Sequence, residues 1–316
     1  AMIDHALDLS SAVPPVLEAA GLPTGGAIVR EEDGIGNHVY RVGDDYIVRI
    51  GTGSDGKEFA KSCAVMRAVE GQVKTQRLYY DDASCRDFEY PVMVCEYVHG
   101  KPLKAIWHDI SNTQKRNCLH QLLEELHCLH ETEWRRIEVF DSTGNWEAER
   151  EQQLQAVLGK ARDDATIDQV LVDHFEAFWN ENHHMLRTSS APVLVHSDAN
   201  VSNVIFTRDL RLQALIDFDD CEIAPVETEY WNVTFELLDE KNPPSLNEIK
   251  AWLRGYYEFE DPNALVRLKL DEVYWNLFCM VEDLSWRSKR TSRAEAQTDY
   301  QEIFVKDSLQ DWYPRS

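Results

Sequence analysis

The sequence predicts an α+β fold in two parts, a small β-rich N-terminal region and a larger, mostly helical C-terminal region. Three observations carry this reading. Between residues 27 and 98, five apolar segments of strand character surround one helical segment. Beyond His99-Gly100-Lys101-Pro102, which breaks the pattern, amphipathic stretches of helical period dominate. Two short apolar runs, Leu194-Val195 and Ala214-Leu215-Ile216, then lead into loops rich in acidic and amide side chains. The domains are accordingly drawn at 1–98 and 99–316.

The chain of 316 residues is long enough for one large domain or two sharing a cleft. Its composition, 43% hydrophobic with 28% charged residues, is that of a soluble globular protein. No apolar run reaches the roughly 18–20 residues needed to span a bilayer, so no membrane association is expected. No basic segment followed by an apolar stretch opens the sequence, and a signal peptide is not expected. Seven scattered Cys, none in a C-x-x-C, read as reduced thiols and place the protein in the cytoplasm. The formal charge of −24 argues against a nucleic-acid partner and is compatible with a cationic small molecule or simply a solubilising surface. No obligatory protein partner is evident.

In order, Asp8 to Ala20 reads as a helix with Pro14 and Pro15 near its first turn and Gly21 after its end. Ala27–Arg30, His38–Val42 and Asp45–Ile50 read as strands, the last two joined by a tight turn at Gly43-Asp44-Asp45. Asp55 to Glu70 is helical, with Phe59, Cys63, Met66 and Val69 on one face, and two more strands follow at 77–80 and 91–98. Helices are expected over Thr113–His130, Trp146–Leu158, Asp168–Leu186, Glu227–Leu238, Ser245–Tyr257, Asn263–Trp286 and Arg293–Leu309. His120, His127 and His130 lack the acid cluster and spacing of a metal site and read as packing or surface residues.

Three places bear on chemistry. The turn Asp33-Gly34-Ile35-Gly36-Asn37 suits either close backbone approach to a phosphate or an ordinary hairpin. Arg49, inside an apolar strand, needs a partner on one sheet face unless it points to solvent. The third is His196-Ser-Asp198-Ala-Asn-Val-Ser-Asn203 with Ile216-Asp217-Phe218-Asp219: two carboxylates and an amide, hard oxygen donors suited to magnesium-bound phosphate and a hydroxyl that loses its proton.

This order of parts resembles the aminoglycoside phosphotransferase and choline kinase family, the small-molecule branch of the bilobal protein-kinase-like fold, over nearly the whole chain. The resemblance implies that Asp198 is the catalytic base, that Asn203 and Asp217 hold Mg2+ against the phosphates of ATP or GTP, and that His196 braces the loop. It also implies that Gly34, Gly36 and Asn37 cover the phosphates, that Arg49 pairs with phosphate, and that Glu96 to Val98 reads the adenine edge. Two departures stand out. Arg49 replaces the lysine typical of the antibiotic kinases, a change shared with choline kinases. Its acidic partner from the following helix is ambiguous: register points to Ser62, and Glu58, one turn earlier, is the acidic choice.

Asp217 is followed within ten residues by the start of a helix at Glu227, which leaves no docking platform for peptides and favours a small-molecule acceptor. Asp220, Glu229, Trp231, Glu236, Glu282 and Trp286 are candidates for holding a cationic acceptor through charge and cation–π attraction. The expected function is transfer of the γ-phosphate of ATP or GTP to a hydroxyl of a cationic substrate, an aminoglycoside or related basic antibiotic. The alternatives are a choline, ethanolamine or amino-sugar kinase, and a nucleotide-binding pseudokinase.

Overall fold

The computed structural model describes residues 7–31, 37–52, 56–140, 146–187, 191–229, 233, 252 and 263–282. It forms two compact units, one of Ala1–Ser142 with Val193–Ile223 and one of Thr143–Pro192 with Ala224–Ser316.

The first unit is built on a five-stranded antiparallel sheet of β1 (Ile28–Glu31), β2 (His38–Val42), β3 (Tyr46–Ile50), β4 (Leu78–Asp82) and β5 (Val92–Glu96), in the order β1-β2-β3-β5-β4. Strand alternation sorts its two faces. Tyr40, Val42, Val48, Ile50, Val92 and Val94 bury one face against Val13, Val16 and Leu17 of α1 (Val13–Ala19). Arg49, one residue out of step, therefore points to the other face, where its register partners are Val39 and Met93. That face carries α2 (Lys57–Val69), whose Phe59, Ser62, Cys63, Met66 and Val69 are buried. Gly56 precedes α2 at φ 82°, and a Cβ there would lie 2.4 Å from the Ala83 carbonyl oxygen, so glycine is required.

After the sheet come β6 (Lys101–Pro102), α3 (Leu103–Ile106) and α4 (Asn112–His130). Ser111 and Gln114 form a capping box that fixes the start of α4. The expected stripe of Leu119, Leu122, Leu123, Leu126 and Leu129 is buried. His127 is exposed beside Glu131, and among the described residues no three His, Cys, Asp or Glu side chains gather as a metal cage. Short strands β7 (Val193–Val195), β8 (Val204–Phe206) and β9 (Leu212–Leu215) lie in this unit, with β6-β8-β9 forming a sheet. β7 pairs with β10 (Glu222–Ala224), on which the chain leaves the unit. Gln121 of α4 pins the β8–β9 turn, donating to the Leu210 carbonyl at 2.9 Å and accepting from Leu212 N at 3.0 Å.

The second unit contains α5 (Trp146–Asp163), α6 (Gln169–Asn182) and α7 (Ala264–Glu282), with α5 against both others. α5 runs five residues beyond the expected Leu158, because Ala161 is buried and extends the apolar stripe past Gly159. α6 is capped by Asp168 and ends at Asn182, and the rest of the segment expected to be helical, His183–Leu186, is a 3-10 turn. The helix expected at 293–309, and most of those expected at 227–238 and 245–257, lie outside the described residues. No helix among the described residues is long and apolar enough to cross a membrane.

Candidate active site

The site assembles on the loop between β7 and β8 and the loop after β9, both in the first unit. A backbone hydrogen bond from Ile216 N to the Asn203 carbonyl, 3.0 Å, ties the two loops together. His196 is fully buried, and its Nε2 lies 3.1 Å from the Ile216 carbonyl oxygen. A carbonyl only accepts, so Nε2 carries the proton. With its ring 4.8 Å from that of Phe218, His196 braces the loops.

Asp198 is held at both carboxylate oxygens. Asn203 Nδ2 donates to Oδ2 at 2.7 Å and to the Asp198 carbonyl at 3.0 Å, while Asn200 Nδ2 donates to Oδ1 at 2.8 Å. Asn200 also accepts from Ser202 N at 2.8 Å, a local side-chain turn that shapes the loop. Because the Asn203 amide nitrogen faces Asp198, its Oδ1 remains an acceptor for a cation. Ser197 and Asp217 take positive φ of 62° and 67°, a sparsely populated region for such residues that concentrates at functional sites.

Asp217 faces Arg49. The guanidinium Nη2 lies 3.4 Å from Asp217 Oδ1 and 2.5 Å from Asp219 Oδ2, and Asn37 Nδ2 donates to the same Asp219 oxygen at 3.2 Å. Burial works against the Arg49 charge, but Asp219 and Asp217 outweigh it and leave its pKa raised. Surrounding protein bulk pushes the Asp217 carboxyl up, Arg49 draws it down, and Asp219 and Asp220 push it up again, so it stays above its usual value. Its side chain nevertheless keeps 43% of its surface open, so a cation can reach it and would reverse that direction. Asp217 and Asn203 thus fit a magnesium ion: two hard oxygen donors leave positions for phosphate and water.

The expected partner of Arg49 is corrected here. Glu58 is exposed and forms no ion pair with Arg49, because its place on α2 turns it away from the buried stripe. Phe59, whose ring lies 5.6 Å from the guanidinium carbon, fills that side, and Ser62 is fully buried. At the segment after β5, the Glu96 carbonyl accepts from Gln76 Nε2 at 2.8 Å, and Tyr97 N donates to the Asp45 carbonyl at 2.8 Å. Among the described residues nothing hydrogen-bonds the Val98 N–H.

The model of the phosphotransferase enzyme family matches residues 28–264, which span the sheet, both loops and the start of α7. The chain belongs to this family. Its fold is shared with solved aminoglycoside phosphotransferases. The streptomycin–ATP–APH(2")-IIa ternary complex is 15% identical at a TM-score of 0.68, covering 98% of this chain and 100% of that one. The APH(2'')-Ib structure with ADP is 16% identical at 0.67, covering 98% and 100%. A protein from Ralstonia eutropha JMP134 described as an aminoglycoside phosphotransferase is 12% identical at 0.67, covering 96% of each chain. No curated protein matches the sequence.

Within this phosphotransferase the acceptor-side candidates divide. Asp220 is exposed beside Asp217, whereas Glu229 is fully buried in the second unit, which is where a structural carboxylate sits. Neighbouring Glu227 is likewise buried, paired with Arg267. Gly34, Gly36, Trp231, Glu236 and Trp286, and the side chain of Glu282, lie outside the described residues. Asn200 and Asp219 were given no separate role in the sequence. Their signals were present: an amide two residues from Asp198, and a second acid two residues past Asp217.

Proposed function

We propose that this phosphotransferase is a small-molecule kinase that passes the γ-phosphate of ATP or GTP to a hydroxyl of a cationic acceptor, an aminoglycoside or related basic antibiotic. The observation that carries the reading is the Asp198 carboxylate, gripped by Asn200 and Asn203 and joined through Asn203 to the strand end bearing Asp217. Phosphoryl transfer asks a protein chiefly to position reactants and balance charge, and these residues do both. Asp198, fixed at both oxygens, orients the acceptor hydroxyl and receives its proton. Arg49 offers donors to phosphate oxygens, and the free N–H of Val98 offers a donor to the base edge. Asn203 and Asp217 would hold magnesium, which would supply positive charge for the phosphates.

The domain boundary at 98/99 follows from this reading, with the five-stranded sheet as the nucleotide lobe. The net charge of −24 and exposed Asp220 support a cationic acceptor, and solved relatives of this fold are complexes with streptomycin, gentamicin and kanamycin. The described cysteines are free thiols, in keeping with a cytoplasmic enzyme. A second reading, a choline, ethanolamine or amino-sugar kinase, is favoured by Arg49 standing where the antibiotic kinases carry lysine.

The test is an acceptor panel with ATP or GTP and magnesium, read by mass spectrometry for the phosphate mass gain. Phosphorylation of a basic antibiotic, lost in Asp198→Ala, is the expected result. Turnover on choline alone selects the second reading. Nucleotide binding without turnover on any acceptor makes the chain a pseudokinase and refutes the proposal.

A further inference from the structure

We propose that Asp219 is the positioning residue for Arg49, taking over on the loop after β9 the role that an acid from α2 was expected to fill. The inference rests on the kinase reading above and goes beyond it by assigning a residue and its action.

Among the described residues, Arg49 meets no acid on the helix side. α2 turns Phe59, Ser62 and Cys63 inward, and its one acid in the first turn, Glu58, faces solvent. Among the described residues, the ion-pair partners of Arg49 are Asp217 and Asp219 alone. The two are not equivalent. Asp219 lies at 2.5 Å, the range of a charge-assisted hydrogen bond, while Asp217 at 3.4 Å is a looser contact. Asp219 is also the more enclosed, with 19% of its side chain exposed against 43% for Asp217.

The same Asp219 oxygen accepts from Asn37 at the end of the β1–β2 turn. One carboxylate oxygen therefore fixes both elements that approach the phosphates from the sheet side. It leaves Asp217 open for a cation. Asp219 Oδ1 is buried without a hydrogen-bond partner, so the carboxylate is committed through Oδ2. A long arginine side chain loses considerable rotamer freedom when fixed, and an anchored guanidinium loses less of it when a phosphate arrives.

The experiment is a double-mutant cycle of Arg49→Met and Asp219→Asn in the full chain, with kcat, nucleotide KM, magnesium half-saturation and the unfolding midpoint of the nucleotide-free protein measured for each variant. Asp219→Asn is expected to lower kcat by about tenfold or more, the scale of a close charged pair, with magnesium half-saturation unchanged. In the Arg49→Met background it should cost little further in kcat or in midpoint, and Asp219→Glu should recover part of the rate. Arg49→Gln replaces Arg49→Met if the latter fails to fold. Additive losses overturn the proposal, as does an Asp219→Asn defect rescued by high magnesium, which would make Asp219 a direct metal ligand. If the wild-type chain neither binds nucleotide nor phosphorylates any acceptor, the kinase reading has failed, and the proposal falls with it.

Discussion

Replacing Arg267 by Met in the second unit should cost the protein a large part of its stability. Arg267 on α7 is 1% exposed and Glu227 is 3% exposed. Arg267 Nε donates to Glu227 Oε1 at 2.5 Å, and Nη2 pairs with the same oxygen. Nη1 lies 3.4 Å and 3.5 Å from the Met185 and Arg187 carbonyls, contacts at the weak end of hydrogen-bond geometry. Met keeps most of the aliphatic length, so the loss is of charge rather than of volume. Removing one member of a buried ion pair costs ~3–5 kcal/mol. At ~2–4 °C per kcal/mol for a domain of this class, the unfolding midpoint should fall by ~6–20 °C. Thermal circular dichroism gives the midpoint and urea unfolding gives the free energy. A loss under about 1 kcal/mol would refute the reasoning, since it would mean that Glu227 finds water or another donor. The double variant Glu227→Leu with Arg267→Met should recover much of the loss, because it removes the stranded charge. Well below the midpoint, Glu227→Gln should leave acceptor KM unchanged, which separates this acid from the acceptor site.

Three further outcomes follow from the first unit. Asn203→Ala removes a donor to Asp198 and an oxygen for the cation together, so magnesium half-saturation should rise by ~10–100-fold in a magnesium titration of turnover. Burial pushes the Cys95 thiol up to about 12 from its ordinary 9.0, and Cys63 is raised by the same cause, so at pH 8 iodoacetamide should label exposed Cys85 and spare both. The linked stability has a definite sign: it is fully present below pH 9, and it is lost as pH climbs from 9 to about 12, where the unfolded chain releases its thiol protons first. Urea midpoints across that range check it, and a midpoint that rose above pH 9 would contradict it.

Much of this was legible in the sequence because local pattern decided it. Strand alternation around Arg49, the leucine stripe of α4 and the spacing of Asp198 and Asn203 are all short-range signals, and each appears where the pattern puts it. What was not legible depended on long-range neighbours. Glu58 and Asp219 are equally plausible partners for Arg49 on charge alone. The choice depends on which way α2 turns its buried stripe, and that is set by packing against β4 and β5. The acids past Asp217 posed the same difficulty. Glu229 reads as an acceptor candidate because carboxylates are rarely buried unless paired, and the burial of its neighbour Glu227 depends on a partner 40 residues on in α7.

The charges gathered around Arg49 constrain how the site can work. One guanidinium faces Asp217 and Asp219, Asp220 stands beside them, and Asp198 lies across the loop joined through Asn203. A triphosphate entering this group meets more negative than positive charge. At an effective dielectric of about 20, a carboxylate about 4 Å from a phosphate charge would oppose it by ~4 kcal/mol, as much as one arginine at that distance would offset, so several carboxylates together outweigh Arg49. On the proposed kinase reading, the protein would supply geometry and leave most of the neutralisation to cations that come with the nucleotide. Arg49, already committed to Asp219, is then a sharer of charge rather than its main source. This explains why the strand can carry a forked guanidinium there in place of an ammonium point charge: one edge stays anchored to the carboxylate while other N–H groups remain for phosphate. The cationic acceptor proposed above would fit the same logic, since it would approach the exposed Asp220 and add positive charge where the transferred group is most negative.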